Sequence, residues 1–205
     1  MRKLRYGVAT SLDGFIAGPR GEYDWIVMDP SIDFAAIYRE FDTMVMGRKT
    51  FDVTRGQGEG SAEPSMRVVV FSRTLPPRTK GGLTVTDQDP VETVAALKKE
   101  EGKDIWLFGG GELFRTLLDA GLVDAIEIAI MPVLVGGGVP LVAPGRLHGG
   151  LRVTKSETLP SGILMVSYEV ARGTKKTKGP RRHEGSKKTK TPRRHEGTKK
   201  KNTRS

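Results

Sequence analysis

A single-domain α/β sandwich is the fold class that the sequence predicts, on three observations. Runs with strand character alternate with runs of helical periodicity between residues 4 and 170. Two of the strand-like runs end in glycine directly before a helix-like run, at Gly47 and at Gly109-Gly110-Gly111. The charge also divides sharply along the 205 residues, whose total is 34 Lys+Arg against 24 Asp+Glu. Residues 173–205 carry 14 Lys and Arg and two acids, +12, leaving 20 basic and 22 acidic residues, −2, for residues 1–172. We therefore expect a near-neutral folded domain over 1–172, in three layers with about eight strands, and a basic tail over 173–205. A body of this length buries roughly 70 % of its unfolded surface, enough for one ordinary core.

The first strand is expected over residues 4–11 (LRYGVATS), followed by a loop through residues 12–25. Residues 31–41 place Ile32, Phe34, Ala35, Ile37 and Phe41 on a rough helical stripe. A short strand, TMVM at 43–46, runs into Gly47-Arg48-Lys49-Thr50; RVVVF at 67–71 and residues 83–86 read as further strands. Asp89-Pro90-Val91-Glu92 is a helix start, with an Asp N-cap, Pro in the first turn and Glu at the third position, and Gly102 closes that helix. DIWLF at 104–108 is a strand. Residues 112–120 form a helix with Leu113, Phe114, Leu117 and Leu118 on one side and Gly121 at its C-cap. Residues 125–131 read as a strand, and 151–157 with 163–170 as a closing antiparallel pair.

The tail repeats itself with a period of 12: TKKTKGPRRHEG at 174–185 returns as SKKTKTPRRHEG at 186–197 with two substitutions. It holds no large apolar residue to set against the entropy of ordering, so disorder is expected. Clustered Lys and Arg without interleaved aromatics imply weak, salt-sensitive, sequence-indifferent nucleic-acid binding, or a solubilising extension.

The absence of cysteine excludes a disulfide scaffold, a thiolate nucleophile, a Cys-ligated zinc site and an iron–sulfur cluster. No metal site is expected. No apolar run approaches the ~20 residues of a membrane span and no signal peptide is evident, so a soluble cytoplasmic protein without a membrane partner is expected.

Chemistry concentrates at the strand ends. Arg48 and Lys49 at a helix N-terminus oppose the macrodipole, a conflict that a bound anion removes; alternatively both point to solvent and Thr50 caps. Three glycines after a buried strand let a ligand approach the backbone at Gly109, Gly110, Gly111 and Glu112. The spacing departs from GxGxxG, since Phe114 stands at the last glycine, and no GxxxxGK[ST] loop is present. Ser72-Arg73 adds a third polar, cationic strand end, giving a cradle for a nucleotide with an additional phosphate.

SLDGFIAG at 11–18, VMGRKTF at 45–51 and LFGGGEL at 107–113 together resemble the dihydrofolate reductase-like superfamily. LLDAGLVDAIEIAIMPVLVGGGVPLV at 117–142 is similar to the C-terminal reductase domain of the bifunctional riboflavin-biosynthesis deaminase-reductase. The resemblance covers residues 2–171. It implies a mixed, mainly parallel sheet with NADPH across its strand ends. Gly47, Arg48, Lys49, Thr50, Ser72 and Arg73 would then surround the adenosine and its 2′-phosphate. Gly109, Gly110, Gly111 and Glu112 would lie against the pyrophosphate, and Ala9 and Ile16 would offer backbone contacts to the carboxamide. Asp13 and Gly14 would belong to the mobile loop covering it.

The substrate half departs from that family: Phe108 stands where the riboflavin enzyme has an acidic residue, and an Ala-Asp-Asp-Pro segment has no counterpart near residues 51–55. Asp33 is the candidate proton donor or water-orienter, against the alternative of a carboxylate completing a helix start. Asp13 competes for that role, against simple turn chemistry. Trp25 and Phe34 are candidates for an apolar wall facing a planar substrate, against plain core packing. Gly136-Gly137-Gly138 reads as a corner, and His148 receives no role. The expected activity is NADPH-dependent reduction of a small pterin- or ribosylamino-pyrimidine-like heterocycle, as in 5-amino-6-(5-phosphoribosylamino)uracil reduction in riboflavin biosynthesis. The resemblance also suggests a homodimer. The alternatives are a nucleic-acid-associated protein acting through its tail and a non-catalytic NADPH-binding sensor.

Overall fold

Val45, Val69, Ile105 and Leu107 pack into one apolar cluster while their chain neighbours Met44, Met46, Val70 and Trp106 pack into another. Successive strand residues point to opposite faces, so these strands are buried on both sides, as the middle of a parallel sheet covered by helices requires. The computed structural model describes residues 1–56 and 66–171. The basic tail, and with it the boundary near residue 172, lies outside the described residues.

In chain order the elements are β1 (Leu4–Ser11), β2 (Phe15–Ala17), α1 (Phe34–Arg39), β3 (Phe41–Gly47), α2 (Arg48–Gly56), β4 (Arg67–Phe71), β5 (Arg78–Lys80), β6 (Leu83–Thr86), α3 (Pro90–Leu97), β7 (Asp104–Gly109), α4 (Gly111–Asp119), β8 (Ala125–Met131), β9 (Val139–Pro140), β10 (Leu151–Thr158) and β11 (Leu164–Val170). Nine strands form one sheet in the order β10-β11-β8-β1-β7-β3-β4-β6-β5, and β2 pairs with β9 in a second, two-stranded sheet. Pairing is parallel from β8 through β6; β11 and β5 run antiparallel to their neighbours. Helices α3 and α4 cover one face with Val94, Leu97, Leu113, Phe114, Leu117 and Leu118. On the other, Phe51 of α2 and Ile37 and Tyr38 of α1 pack around Met44, Met46 and Trp106. Three layers result, as expected. None of the helices among the described residues is long and apolar enough to cross a membrane.

Several local expectations change. The sheet has nine strands rather than eight, because residues 78–80 pair with β6 as an edge. The segment expected as loop over 12–25 contains β2, whose partner comes from the glycine corner after residue 136. Phe41 belongs to β3 and not to the preceding helix. It is 5 % exposed, stacked on Trp106 with ring centroids 5.2 Å apart, and roofed by the Arg5 guanidinium 4.6 Å from its ring centre. Helix α3 starts as predicted, with the Asp89 carboxylate accepting from the amides of Val91 and Glu92, but ends at Leu97, well before Gly102.

Two ion pairs tie the sheet together near the starts of β1 and β8. The Lys98 ammonium, one residue past α3, pairs with the Asp124 carboxylate, both side chains under a tenth exposed, and Asp124 also accepts from the Leu4 amide at 2.8 Å. Arg5 on β1 reaches Glu127 on β8 in a two-pronged contact at 2.9 Å per arm.

Candidate functional site

The sheet order sets which strand ends can meet. β7, β3 and β4 are consecutive and parallel, so their C-terminal ends open on one side of the sheet. Met46 is level with Gly109, and Gly47 with Phe71, the residue before Ser72. The three polar strand ends singled out in the sequence are therefore direct neighbours, in the place where open α/β sheets bind ligands.

Thr50 joins the first two. A Cβ added at Gly109 would lie 3.2 Å from the Thr50 hydroxyl, one at Gly110 3.5 Å from it, and one at Gly47 4.0 Å from the Gly110 amide nitrogen. Gly109 has φ +147°, a conformation that other residues rarely adopt, and the Gly109–Gly110 peptide bond is cis. Gly110 is the N-cap of α4 and supplies no side-chain cap to its first amides. Glu112 is exposed in that first turn.

Gly111 has different surroundings. It is buried, and a Cβ there would lie 2.5 Å from the Pro140 carbonyl oxygen and 3.3 Å from that of Leu141, while the Ala143 amide donates to its carbonyl. This glycine admits the backbone of residues 140–143 across the start of α4, whereas Gly109 and Gly110 face Thr50.

The cationic groups are arranged unequally. Arg48 Nη1 donates to Asp52 Oδ2 at 2.6 Å, one turn along α2. Lys49 and Arg73 are exposed. Ser72 is buried, and its hydroxyl accepts from the amides of Thr74 and Leu75 at 3.2 and 2.9 Å, so it closes the turn after β4. Asp52 was missed in the sequence; a carboxylate four residues after a helical Arg was the available signal.

The nicotinamide-side candidates lie one strand over. Ala9 sits half-buried on β1, beside β7 and opposite Ala129 of β8, and Ile16 is half-buried in β2. Asp13 is engaged as a tie rather than a free acid. Its carboxylate accepts from the Ser11 hydroxyl at 2.6 Å and from the Val135 and Gly136 amides at 3.1 and 2.7 Å. These donors, the Ser11 hydroxyl first, bring its pKa down to about 2. Gly136 takes φ +78° in that contact, and Gly14, φ +85°, accepts at its carbonyl from the Leu141 amide.

Asp33 completes a helix start. It is the N-cap of α1: its Oδ1 accepts from the Ala36 amide at 2.8 Å, and its side chain is 66 % exposed. Trp25 and Phe34 are half-buried and belong to neither apolar cluster, which separates them from ordinary core; the Trp25 indole donates to the Glu22 carbonyl. Phe108 packs edge-on against Trp106, 5.3 Å between centroids, immediately before the glycines. Asp29, also missed, is 3 % exposed. Ser161 and Ser31 donate to it and hold its carboxyl well below the usual range, fastening the segment before α1 to the β10–β11 turn. His148, given no role, donates from Nε2 to Asp119 Oδ1 at the end of α4, at 2.5 Å.

Residues 2–165 match the family described as the RibD C-terminal domain. The uncharacterized protein YyaP of Bacillus subtilis (strain 168) is 35 % identical over 178 residues, 82 % of this chain and 94 % of that one. Among solved structures, a protein from Shewanella sp. PV-4 assigned to riboflavin biosynthesis superposes with TM-score 0.71 at 29 % identity, covering 84 % of this chain and 100 % of the other. The diaminohydroxyphosphoribosylaminopyrimidine deaminase/5-amino-6-(5-phosphoribosylamino)uracil reductase of Thermotoga maritima superposes with TM-score 0.64 at 16 % identity. That match covers 83 % of this chain and 57 % of the longer protein, and it shows the shared fold.

Proposed function

The chain belongs to the RibD C-terminal domain family, a reductase family, and from that premise we propose that it is an NADPH-dependent reductase of a small planar heterocycle bearing an imine or carbonyl. One observation supports the cofactor reading: Thr50, in the first turn of α2, lies against Gly109 and Gly110, so that two helix starts meet at neighbouring strand ends where the two glycines bring no side chain of their own. The residues present fit that group. Gly109, Gly110 and the first amides of α4 would hold the pyrophosphate, and Arg48, Lys49 and Arg73 the 2′-phosphate. NADPH, when bound, supplies the hydride.

This chain's own share of the work is orientation and exclusion of water. Ala9 on β1, the strand next to β7, and Ile16 on β2 offer backbone to the nicotinamide. Asp13 fixes the loop above it by holding the 135–136 backbone. Trp25, Phe34 and Phe108 give apolar surface suited to a flat, uncharged ring; an acidic partner for a charged substrate is not among them. Asp33 is committed to capping α1 and is not given the proton-transfer role.

The test is a titration of the full 205-residue chain with NADPH and with NADH, read by tryptophan fluorescence from Trp25 and Trp106. Charge-assisted bonds to a 2′-phosphate are worth about 1.5–3 kcal/mol, so NADPH should bind about 10- to 100-fold tighter, and Arg48→Ala should shrink that ratio. Failure of both nucleotides to bind at millimolar concentration refutes the reading.

A further inference from the structure

We propose that Asp52 sets how strongly this chain prefers NADPH to NADH, by competing with the 2′-phosphate for the Arg48 guanidinium. The inference rests on the cofactor reading above.

Arg48 opens α2 directly after Gly47, where the helix dipole disfavours a cation. Its guanidinium is turned along the helix surface to Asp52, with Nη1 to Oδ2 at 2.6 Å and both side chains about two-fifths exposed, 41 % and 43 %. The Ser72 hydroxyl accepts from the amides of Thr74 and Leu75 and is neutral, so the charge-assisted part of recognising an added phosphate falls to the cations. Of these, Arg48 is the one that begins the helix beside the Thr50–Gly109–Gly110 cleft, and it is already paired. A phosphate that recruits Arg48 must displace a carboxylate fixed one turn away, and afterwards sits near that negative charge. NADH lacks the 2′-phosphate and draws nothing from Arg48. Asp52 therefore acts on the ratio of the two affinities and leaves nucleotide binding as such alone. An exposed i,i+4 ion pair is weak, which makes the pair a tunable brake instead of a block: its removal is worth about two- to five-fold in affinity.

The experiment titrates the full chain as wild type, Asp52→Asn, Arg48→Ala and the double variant with NADPH and NADH, with thermal melts to confirm folding and Asp52→Ser as a second neutral replacement. Asp52→Asn should tighten NADPH about two- to five-fold, leave NADH unchanged, and give no gain in the Arg48→Ala background. Unchanged or weaker NADPH binding, equal tightening of both nucleotides, or the same gain without Arg48 would overturn the proposal. If wild type binds neither nucleotide the cofactor reading falls and takes this inference with it, a result distinct from one in which both bind and Asp52→Asn changes nothing.

Discussion

Replacing Gly111 by alanine asks whether that glycine serves a ligand or the protein's own backbone. The new methyl carbon would stand 2.5 Å from the Pro140 carbonyl oxygen and 3.3 Å from that of Leu141. Both neighbours are backbone atoms, which cannot swing aside as a side chain can, so residues 140–143 or the start of α4 must move. Overpacking of this kind costs about 1–3 kcal/mol. A further loss of about 1 kcal/mol follows if the 3.3 Å bond from the Ala143 amide to the Gly111 carbonyl breaks. Alanine's better helix propensity returns up to about 1 kcal/mol. The net is about 1–3 kcal/mol of destabilisation, a drop of about 2–12 °C in Tm for a domain of this size. Thermal unfolding of the full chain by circular dichroism measures it, with Gly110→Ala as the comparison, since its nearest neighbour is the Thr50 hydroxyl at 3.5 Å. An unchanged or raised Tm together with lost NADPH binding would refute the reasoning and return Gly111 to the ligand.

Asp33→Ala should cost about 1 kcal/mol of stability through the lost N-cap bond to Ala36, with kcat changed less than about two-fold once a substrate is found; a loss of about a hundred-fold in kcat with unchanged Tm would make Asp33 a proton donor after all. Asp13 titrates at about 2 in the folded chain against about 3.9 unfolded, so its contribution is present above about pH 4 and is lost as pH falls through 2. Asp13→Asn should therefore be less stable than wild type in urea near neutral pH, with the gap closing between about pH 4 and pH 2. A gap that stays constant over that range would show that the carboxylate's charge is not what holds the 135–136 backbone.

Local chemistry made much of this protein legible. Asp89-Pro90-Val91-Glu92 marks a helix start, because the carboxylate reaches amides two and three residues away. The apolar runs of β3, β4 and β7 predict strands buried on both faces for the same short-range reason, and a glycine at a strand's end marks a close approach. Other features belong to the tertiary structure alone. Gly111 reads like Gly109 and Gly110 in the sequence, and only the path of residues 140–143 gives it different neighbours. Asp13 finds its amide partners 122 and 123 residues away, and β2 and β9, of three and two residues, carry no periodicity of their own to announce a pairing. Phe41 sits at a helical spacing from Ile37, yet Trp106 and Arg5, brought beside it by the sheet, hold it in a strand. Propensity and capping act over a few residues and are written in the chain's order. The neighbours that decide which groups share a cleft are set by sheet register, and that exists only once the strands have been laid side by side.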